Sequence, residues 1–250
     1  MRIDKYLAEN GYVTSRSKAA QLIKEGAVML DGKIIDKPSV EVEDGAVIEV
    51  DNSSVRYVSR GGLKLEGALD SFNIDVTGMK AVDIGASTGG FTDCLLKRGA
   101  KIVYAIDSGT LQLDESLKED QRVVSIENFN ARHMTKDTTE GECDIAVCDL
   151  SFISQTLIYK ALTEVIRDGG IFVSLIKPQF EVGKNKIGKG GIVRDPAARE
   201  NAVRSVILSA KNYGLVCKGR IESPIKGGDG NTEYLAYFVY DKKENTVGGE

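Results

Sequence analysis

From Lys80 onward the chain alternates short apolar segments with segments of helical spacing, and this alternation restricts the fold more than any other feature of the sequence. Such a pattern is typical of a doubly wound parallel sheet with helices on both faces. About a dozen residues separate the last two predicted strands, which is too few for a crossover helix, so this pair is expected to be antiparallel. The seven predicted strands lie at residues 81–84, 101–106, 122–126, 144–148, 171–176, 215–221 and 234–240.

The first 50 residues follow a different pattern. Two short helices are predicted first; Thr14 or Ser15 can cap the second, and Gly26 ends it. A strand, an Asp31-Gly32 turn and a second strand follow, and a last strand comes after an Asp44-Gly45 turn. We therefore expect a small α+β module at residues 1–50, a linker at 51–59 and a larger α/β domain at 60–250.

Composition and cysteine spacing exclude several classes of protein. The chain is 42% apolar and 28% charged, and its longest apolar runs are of strand length, far below the roughly 20 residues that span a bilayer. The N-terminus has no apolar signal segment, so the cytoplasm is the expected location, with no membrane partner. The four cysteines form no C-x-x-C pair and His133 is the only histidine, so we expect no metal and reduced core thiols.

The net charge of −4 argues by itself against binding to nucleic acid, but the charge is unevenly distributed. Residues 176–226 contain eleven basic and four acidic side chains. This segment is either a face that contacts nucleic acid or a solvated surface, and charge alone leaves both open.

A glycine-rich turn follows the first strand of the larger domain, from Asp83 to Phe91. Its spacing is not the G-x-G-x-x-G of dinucleotide-binding folds. It resembles the D-x-G-x-x-x-G-G loop that binds S-adenosylmethionine, and Asp107 ends the next strand, where a carboxylate can accept both ribose hydroxyls. The alternative is a turn that serves packing only. The predicted cofactor-binding residues are Asp83, Gly85, Ala86, Ser87, Thr88, Gly89, Gly90, Phe91, Asp107, Asn130 and Asp149.

The N-terminal segments Arg2-Ile3-Asp4-Lys5-Tyr6-Leu7, Ser15-Arg16-Ser17-Lys18-Ala19 and Gly26-Ala27-Val28 resemble the RNA-binding module shared by a small-subunit ribosomal protein, pseudouridine synthases and tyrosyl-tRNA synthetases. The resemblance implies that the second helix and its surroundings face RNA phosphate. The predicted RNA contacts of the whole chain are Arg2, Lys5, Arg16, Lys18, Lys24, Lys189 and Arg194.

Four polar residues stand in recognisable contexts: Lys64 after Arg-Gly-Gly-Leu, Asp149 before Leu-Ser-Phe, Lys177 before Pro-Gln-Phe, and Glu233 after Gly-Asn-Thr. The set resembles the catalytic tetrad of FtsJ-like RNA 2'-O-methyltransferases, which need no metal. The resemblance implies that Lys177 orients the ribose hydroxyl or takes its proton, that Lys64 is a second cation, and that the carboxylates hold the two lysines. Neighbouring cations and partial burial both lower the pKa of a lysine from its reference value near 10.4.

Together with Lys189-Gly190-Gly191-Ile192-Val193-Arg194, these motifs make the chain similar to the TlyA family, whose members methylate cytidines of bacterial ribosomal RNA at the ribose. The resemblance implies S-adenosylmethionine as cofactor, ribosomal RNA or a ribosomal subunit as partner, and a Rossmann-like seven-stranded domain with a C-terminal antiparallel hairpin. Asp149-Leu150-Ser151-Phe152 lacks the Pro-Pro of enzymes that methylate base nitrogens, which favours ribose oxygen. The alternative is a non-catalytic ribosome assembly factor, which need not bind the cofactor.

Overall fold

The computed structural model describes residues 1–13, 15–24, 26–43, 45–50, 56–228 and 230–247. The chain divides into two units, Met1–Arg60 and Gly61–Glu250. The predicted cap at Thr14, the Asp44 half of the second turn and the linker segment 51–55 lie outside the described residues.

The N-terminal unit packs two helices against a small antiparallel sheet. Ser15 caps the second helix, because its Oγ accepts a hydrogen bond from the Lys18 backbone amide at 3.1 Å. Ile3, Leu7, Leu22 and Ile23 have no exposed surface and form the core with the sheet. The elements are α1 (Ile3–Glu9), α2 (Arg16–Lys24), β1 (Val28–Leu30), β2 (Lys33–Ile34) and β3 (Ile48–Val50), with sheet order β2-β1-β3.

The larger unit is a seven-stranded sheet with helices on both faces. Its elements are α3 (Gly61–Ser71), β4 (Lys80–Ile84), α4 (Gly90–Lys97), β5 (Ile102–Ile106), α5 (Glu115–Lys118), β6 (Val123–Ile126), β7 (Cys143–Cys148), α6 (Tyr159–Val165), β8 (Ile166–Ile176), α7 (Pro178–Glu181), α8 (Pro196–Asn212), β9 (Tyr213–Glu222) and β10 (Tyr234–Asn245).

The strand order is β6-β5-β4-β7-β8-β10-β9. The first five strands in this order are parallel, whereas β10 is antiparallel to both β8 and β9. The predicted Rossmann-like sheet with a C-terminal antiparallel hairpin is therefore confirmed. The carboxyl ends of the parallel strands meet at one edge, which is where ligands bind in open sheets of this kind.

Side chains of β10 alternate between the two faces of the sheet, as the period of a strand requires. Phe238 stacks on Phe172 with ring centroids 5.5 Å apart, in the core that also contains Val203 of α8. Tyr237 points the other way and packs against Phe72 at the end of α3, with centroids 5.5 Å apart. Both faces of the sheet are thus covered, whereas the edge formed by the carboxyl ends of the parallel strands is available to a ligand.

Two strands are each five residues longer than the sequence pattern predicts. β8 begins at Ile166 rather than Ile171, because Arg167-Asp168-Gly169-Gly170, a sequence typical of a turn, forms an irregular start to the strand. β10 continues past Tyr240 to Asn245, which pairs with Tyr213 after a register shift. Charged and glycine residues at the start of β8 and charged residues at the end of β10 therefore hid these strand boundaries from the sequence pattern.

Cys94, Cys143 and Cys148 are buried, Cys217 is half-buried, and all four are free thiols. Among the described residues, no helix combines the length and apolar character needed to cross a membrane. Within the same ranges, no cluster of three or more histidine, cysteine or acidic side chains is placed to hold a metal ion.

Candidate active site

The turn after β4 is shaped by Gly85. Its φ is +86°, and a Cβ at this position would lie 2.6 Å from the carbonyl oxygen of Asp149. Only glycine adopts this conformation without strain and permits such a close approach of two backbones. The turn after β4 and the end of β7 are therefore held against each other at the carboxyl edge.

Asp83 is the last polar residue of β4 and is fully buried beneath this turn. Its Oδ2 accepts a hydrogen bond from Thr92 Oγ1 of α4 at 2.7 Å, whereas its Oδ1 has no partner. Burial raises the pKa of Asp83 to about 7, and the charges of Asp149 and Asp107 add to the rise against the effect of the Thr92 bond. A cation bound near Asp83 would favour the ionised form of this carboxyl group.

Asp107 follows β5 and holds two loops at the same edge. Its Oδ2 accepts the Ser87 amide and its Oδ1 accepts the Gly109 amide, both at 2.7 Å. Each carboxylate oxygen keeps a second lone pair, so hydroxyl groups of a ligand can still donate to it. Directly after β6, Glu127 accepts hydrogen bonds from the amides of Leu111 and Gln112 and so shapes the neighbouring loop.

A cavity of about 460 Å³ opens between these loops. Five of the predicted cofactor-binding residues line it: Gly85, Ser87, Asp107, Asn130 and Asp149. The other six, Asp83, Ala86, Thr88, Gly89, Gly90 and Phe91, are not among its lining residues and shape the turn and the start of α4. The lining residues that are not among the predicted cofactor-binding residues are Ile106, Ser108, Gly109, Gln112, Phe129, Ala131, Leu150, Ser151, Phe152 and Ile153.

Most of the lining residues missed by the sequence analysis lie in the loops that follow β5, β6 and β7, and that position is the signal that could have found them. Phe152 is 87% exposed with a φ of +69°, an unusual backbone conformation for an aromatic residue. Its ring lies 5.3 Å from that of Phe180, so an aromatic pair borders the cavity.

Asp149 and Lys177 form the first of the two lysine–carboxylate pairs within the predicted tetrad. Lys177 Nζ lies 2.5 Å from Asp149 Oδ1 and donates a hydrogen bond to Ser151 Oγ at 2.8 Å. The contact with Asp149 is an ion pair outside hydrogen-bond angles, so the Ser151 bond sets the direction of the ammonium group. This pair borders the cavity, because Asp149 and Ser151 both line it.

Lys64 and Glu233 form the second pair, with Nζ 2.6 Å from Oε2. Glu233 is 2% exposed and Lys64 is 8% exposed, so this pair is largely removed from solvent. Gly67, one turn after Lys64, allows the approach of α3, because a Cβ there would lie 2.9 Å from Pro224 Cγ. A buried pair is costly to break, since the remaining charge loses its partner.

The sheet register brings both pairs to one edge. Ile176 of β8 is the register partner of Tyr234 of β10, so Lys177 and Glu233 are the next residues beyond this rung. Asp149 follows Cys148, which pairs with Ile84 of β4 and Ser174 of β8. The four residues of the predicted tetrad are thus delivered from distant parts of the sequence to the carboxyl edge.

A partly buried polar network that the sequence analysis did not identify lies between the segments that follow Asp149 and Lys177. Glu181 of α7 accepts hydrogen bonds from Ser154 Oγ at 2.6 Å and from the Gln155 amide at 2.9 Å. Burial raises the pKa of Glu181 against the effect of these bonds. The network joins the loop after Asp149 to the helix after Lys177.

In the N-terminal unit, Arg2 and Arg16 share one carboxylate. Asp4 accepts from Arg2 Nε and Nη2 at 3.1 Å each and from Arg16 Nη2 at 2.9 Å. These bonds, the Arg2 bond first, lower the pKa of Asp4 to about 2. Both guanidinium groups are thereby held at one place on the surface of this unit.

The other predicted RNA contacts have different surroundings. Lys18 donates to the carbonyl oxygens of Tyr57 at 3.3 Å and Val58 at 2.5 Å, and Gln21 also donates to Val58. Residues 57–58, assigned to the linker from sequence, are therefore fastened to α2. Lys5 is paired with Glu9 at 3.5 Å, and Lys24, Lys189 and Arg194 are exposed.

Comparison with known proteins gives the family. The FtsJ-like methyltransferase family matches residues 57–240, and the S4 domain matches residues 1–48. Hemolysin A of Brachyspira hyodysenteriae is 45% identical over 240 residues, which cover 96% of this chain and 100% of the relative. The 16S/23S rRNA (cytidine-2'-O)-methyltransferase TlyA of Mycobacterium tuberculosis is 44% identical over 238 residues, which cover 95% of this chain and 89% of the relative.

A solved structure from Streptococcus thermophilus that carries the hemolysin name has 45% sequence identity and a TM-score of 0.77, and the match covers 96% of this chain and 88% of that one. These matches extend over both units, and the sequence resemblance to the TlyA family is confirmed. The chain belongs to the FtsJ-like methyltransferases, in the branch that carries an S4 domain ahead of the methyltransferase domain and includes TlyA.

Proposed function

We propose that this chain transfers a methyl group from S-adenosylmethionine to the ribose 2'-hydroxyl of a cytidine in ribosomal RNA. The observation that carries the proposal is the convergence of the Asp149–Lys177 and Lys64–Glu233 pairs at the carboxyl edge of the sheet. The first pair borders a cavity of about 460 Å³. A ribosomal RNA substrate also places the proposed activity in the cytoplasm.

The residues around the cavity fit S-adenosylmethionine. The volume lies within the range of roughly 300–1,000 Å³ typical of small-molecule sites. Asp107 offers carboxylate lone pairs to ribose hydroxyls, and Phe129 and Leu150 offer apolar surface to a purine. Asp107 and Asp149, which line the cavity, and the buried Asp83 in its ionised form supply negative charge for a ligand that carries a sulfonium and an ammonium group. When bound, the cofactor supplies an electrophilic methyl group.

Lys177 is the residue that we assign to the ribose hydroxyl. Its ammonium group is held by Asp149 and Ser151 at the border of the cavity. In the charged form Lys177 can donate to the hydroxyl oxygen and orient it for in-line displacement. In the neutral form it can accept the hydroxyl proton as the oxygen–carbon bond forms. We assign both roles to this one side chain: its ammonium group orients the hydroxyl and then releases one proton to solvent, and the neutral amine takes up the hydroxyl proton during methyl transfer, which restores the ammonium form.

The Lys64–Glu233 pair supplies the second cation of the site. Because this pair is buried, its charges are poorly screened by solvent and act on their neighbours more strongly than a surface pair would. Glu233 holds Lys64 at a fixed position, since the ion pair is 2.6 Å long and Glu233 is 2% exposed. A fixed positive charge at this edge of the sheet would stabilise the negative charge that develops on the ribose oxygen as its proton leaves.

RNA would be held by basic groups of both units. Arg2 and Arg16 form one cluster in the S4 domain, and Lys189 and Arg194 are exposed in the larger unit. Contacts to phosphate position a substrate without reading its sequence. The choice of a cytidine would then depend on the groups that border the cavity, including the Phe152–Phe180 aromatic pair.

The test is transfer of labelled methyl groups to separated 16S and 23S ribosomal RNAs and to intact subunits, followed by nuclease mapping. We expect the label on one or a few cytidines, within dinucleotides that resist alkaline hydrolysis, because a methylated 2'-oxygen cannot attack the neighbouring phosphate. Label on a base would contradict the proposal. If the chain bound RNA but gave no label and no heat of cofactor binding, it would instead be an assembly factor.

A further inference from the structure

A basic, glycine-rich loop at residues 184–194, hereafter the basic loop, precedes α8. Its backbone folds on itself: the Gly188 amide donates to the Ile192 carbonyl at 3.0 Å and the Gly191 amide donates to the Gly188 carbonyl at 3.1 Å. The side chains of Lys186, Lys189 and Arg194 are exposed. The loop contains no acidic residue, so its exposed side suits the phosphates of RNA.

One buried side chain from another part of the fold fastens this loop. Asn231 is 1% exposed, and its Oδ1 accepts a hydrogen bond from the Val193 amide at 3.0 Å. Its Nδ2 donates to the Gly191 carbonyl at 3.1 Å. Both ends of the amide are therefore used on the backbone of the basic loop, and neither bond depends on which side chains the loop carries.

The same residue belongs to the turn that delivers Glu233. The Asn231 carbonyl accepts the Gly227 amide at 2.9 Å, and the Glu233 carbonyl accepts the Ser223 amide at 2.9 Å. Two residues after Asn231, the Glu233 carboxylate holds Lys64. Asn231 thus joins the backbone of the basic loop to the turn that carries one of the two catalytic pairs.

We propose that Asn231 is a positioning residue: it docks the basic loop beside the catalytic pairs, so that an RNA phosphate held by the loop places the target ribose at Lys177. The inference rests on the proposed function. Glycines at 183, 188, 190 and 191 leave the loop with little stiffness of its own. Its distance from the site is therefore set by its anchors, which are Asn231 and Arg199; the latter donates to the Val193 and Arg194 carbonyls at 3.1 Å.

The experiment compares Asn231→Ala with Asn201→Ala, an exposed asparagine of α8 that serves as the matched control. Three quantities are measured on each folded variant: cofactor affinity, RNA affinity and the single-turnover rate of methyl transfer at saturating RNA. For Asn231→Ala we expect the rate to fall by about 10- to 100-fold, because a displacement of about 1 Å has effects of this size. Both affinities should stay within about threefold, and Asn201→Ala should match the unsubstituted chain.

Two further variants test whether the lowered rate arises from displacement of the basic loop. Arg199→Ala releases the other anchor without touching the Glu233 turn, and we expect the same pattern of lowered rate and retained affinity. Lys189→Ala should weaken RNA binding in the native background, and should alter the rate less when Asn231 is already alanine, since the loop is then no longer held in register.

The inference is overturned if Asn231→Ala and Arg199→Ala keep rates within about twofold of the unsubstituted chain. It is also overturned if their loss lies wholly in cofactor or RNA affinity. If Asn231→Ala does not fold, Arg199→Ala alone decides. Failure of the proposed function would look different, because the unsubstituted chain itself would then transfer no methyl group to RNA.

Discussion

We expect the carboxyl group of Asp83 to make ligand binding at the proposed cofactor site depend on pH. Its pKa is raised to about 7 by burial and by the charges of Asp149 and Asp107. The pKa of Asp83 in the folded protein lies above its ordinary value of 3.8. The contribution of this carboxyl group to the free energy of unfolding is therefore complete below pH 3.8 and is lost as the pH rises through about 7. A cationic ligand has the opposite effect and favours the ionised carboxylate.

We therefore expect S-adenosylmethionine to bind more tightly as pH rises from about 6 to about 8, with release of up to one proton. S-adenosylhomocysteine, which lacks the sulfonium charge, should show a weaker dependence. Calorimetric titration in buffers of different ionisation enthalpy measures both quantities. Asp83→Asn is the control and should flatten the pH dependence; an equally steep dependence in this variant would assign the proton to another group.

Lys177 is the residue whose two assigned roles can be separated by substitution. Lys177→Ala should lower turnover by roughly 10²–10⁴, the usual contribution of a general base, with cofactor affinity little changed. Lys177→Arg keeps a cation and its donors, but a guanidinium group is not deprotonated in proteins. We expect the arginine variant to be as deficient as the alanine variant. Substantial turnover by Lys177→Arg would mean that orientation of the hydroxyl suffices.

At the scale of elements, α1 and α2 of the S4 domain are connected by ion pairs that share one carboxylate. Asp4 on α1 holds Arg2, just before that helix, and Arg16, the first residue of α2. Asp4→Asn makes the surface more positive, and simple charge counting predicts tighter RNA binding. We expect weaker binding instead, because the two guanidinium groups lose the carboxylate that fixes them. RNA affinity measured at one salt concentration decides between these results.

Arg16 and Lys18, both in the first turn of α2, should differ in their effect on salt dependence. Arg16→Ala should reduce the slope of log affinity against log salt by roughly 0.7–0.9, the value for one phosphate contact. Lys18→Ala should reduce it less, because the Lys18 ammonium is engaged with the carbonyls of Tyr57 and Val58. Equal reductions in slope would mean that RNA draws Lys18 away from these carbonyls.

The elements that the sequence predicted well are those for which apolar spacing and chain length leave one solution. The antiparallel β9–β10 pair is an example, since the intervening residues cannot form a crossover. The start of β8 is a counterexample, because Arg167-Asp168-Gly169-Gly170 has the composition of a turn and is read as one without its neighbours. Pairing of Cys143 with Ile166 across the sheet extends the strand through this segment.

For the molecule as a whole, the sequence predicted four polar residues at one edge of the sheet, but not which lysine pairs with which carboxylate. Strand order places Asp149, Lys177 and Glu233 at one edge, and this order follows from the fold class. The pairing depends on how closely the Lys64 ammonium group approaches Glu233. That distance is set by the position of α3, which packs closely against Pro224 at Gly67. The anchor at Asn231 was missed for the same reason, since its partners lie about 40 residues away.

The central claim is that the two lysine–carboxylate pairs act as one site on one hydroxyl group. The most direct measurement is a double-mutant cycle on the single-turnover rate, with Lys177→Ala, Glu233→Gln and the double variant, each shown to fold and to bind the cofactor. Groups that act as a unit are strongly non-additive, so the double variant should be no more than about tenfold slower than Lys177→Ala alone. If the two losses instead multiply in full, the pairs act independently and the account of a single site is contradicted.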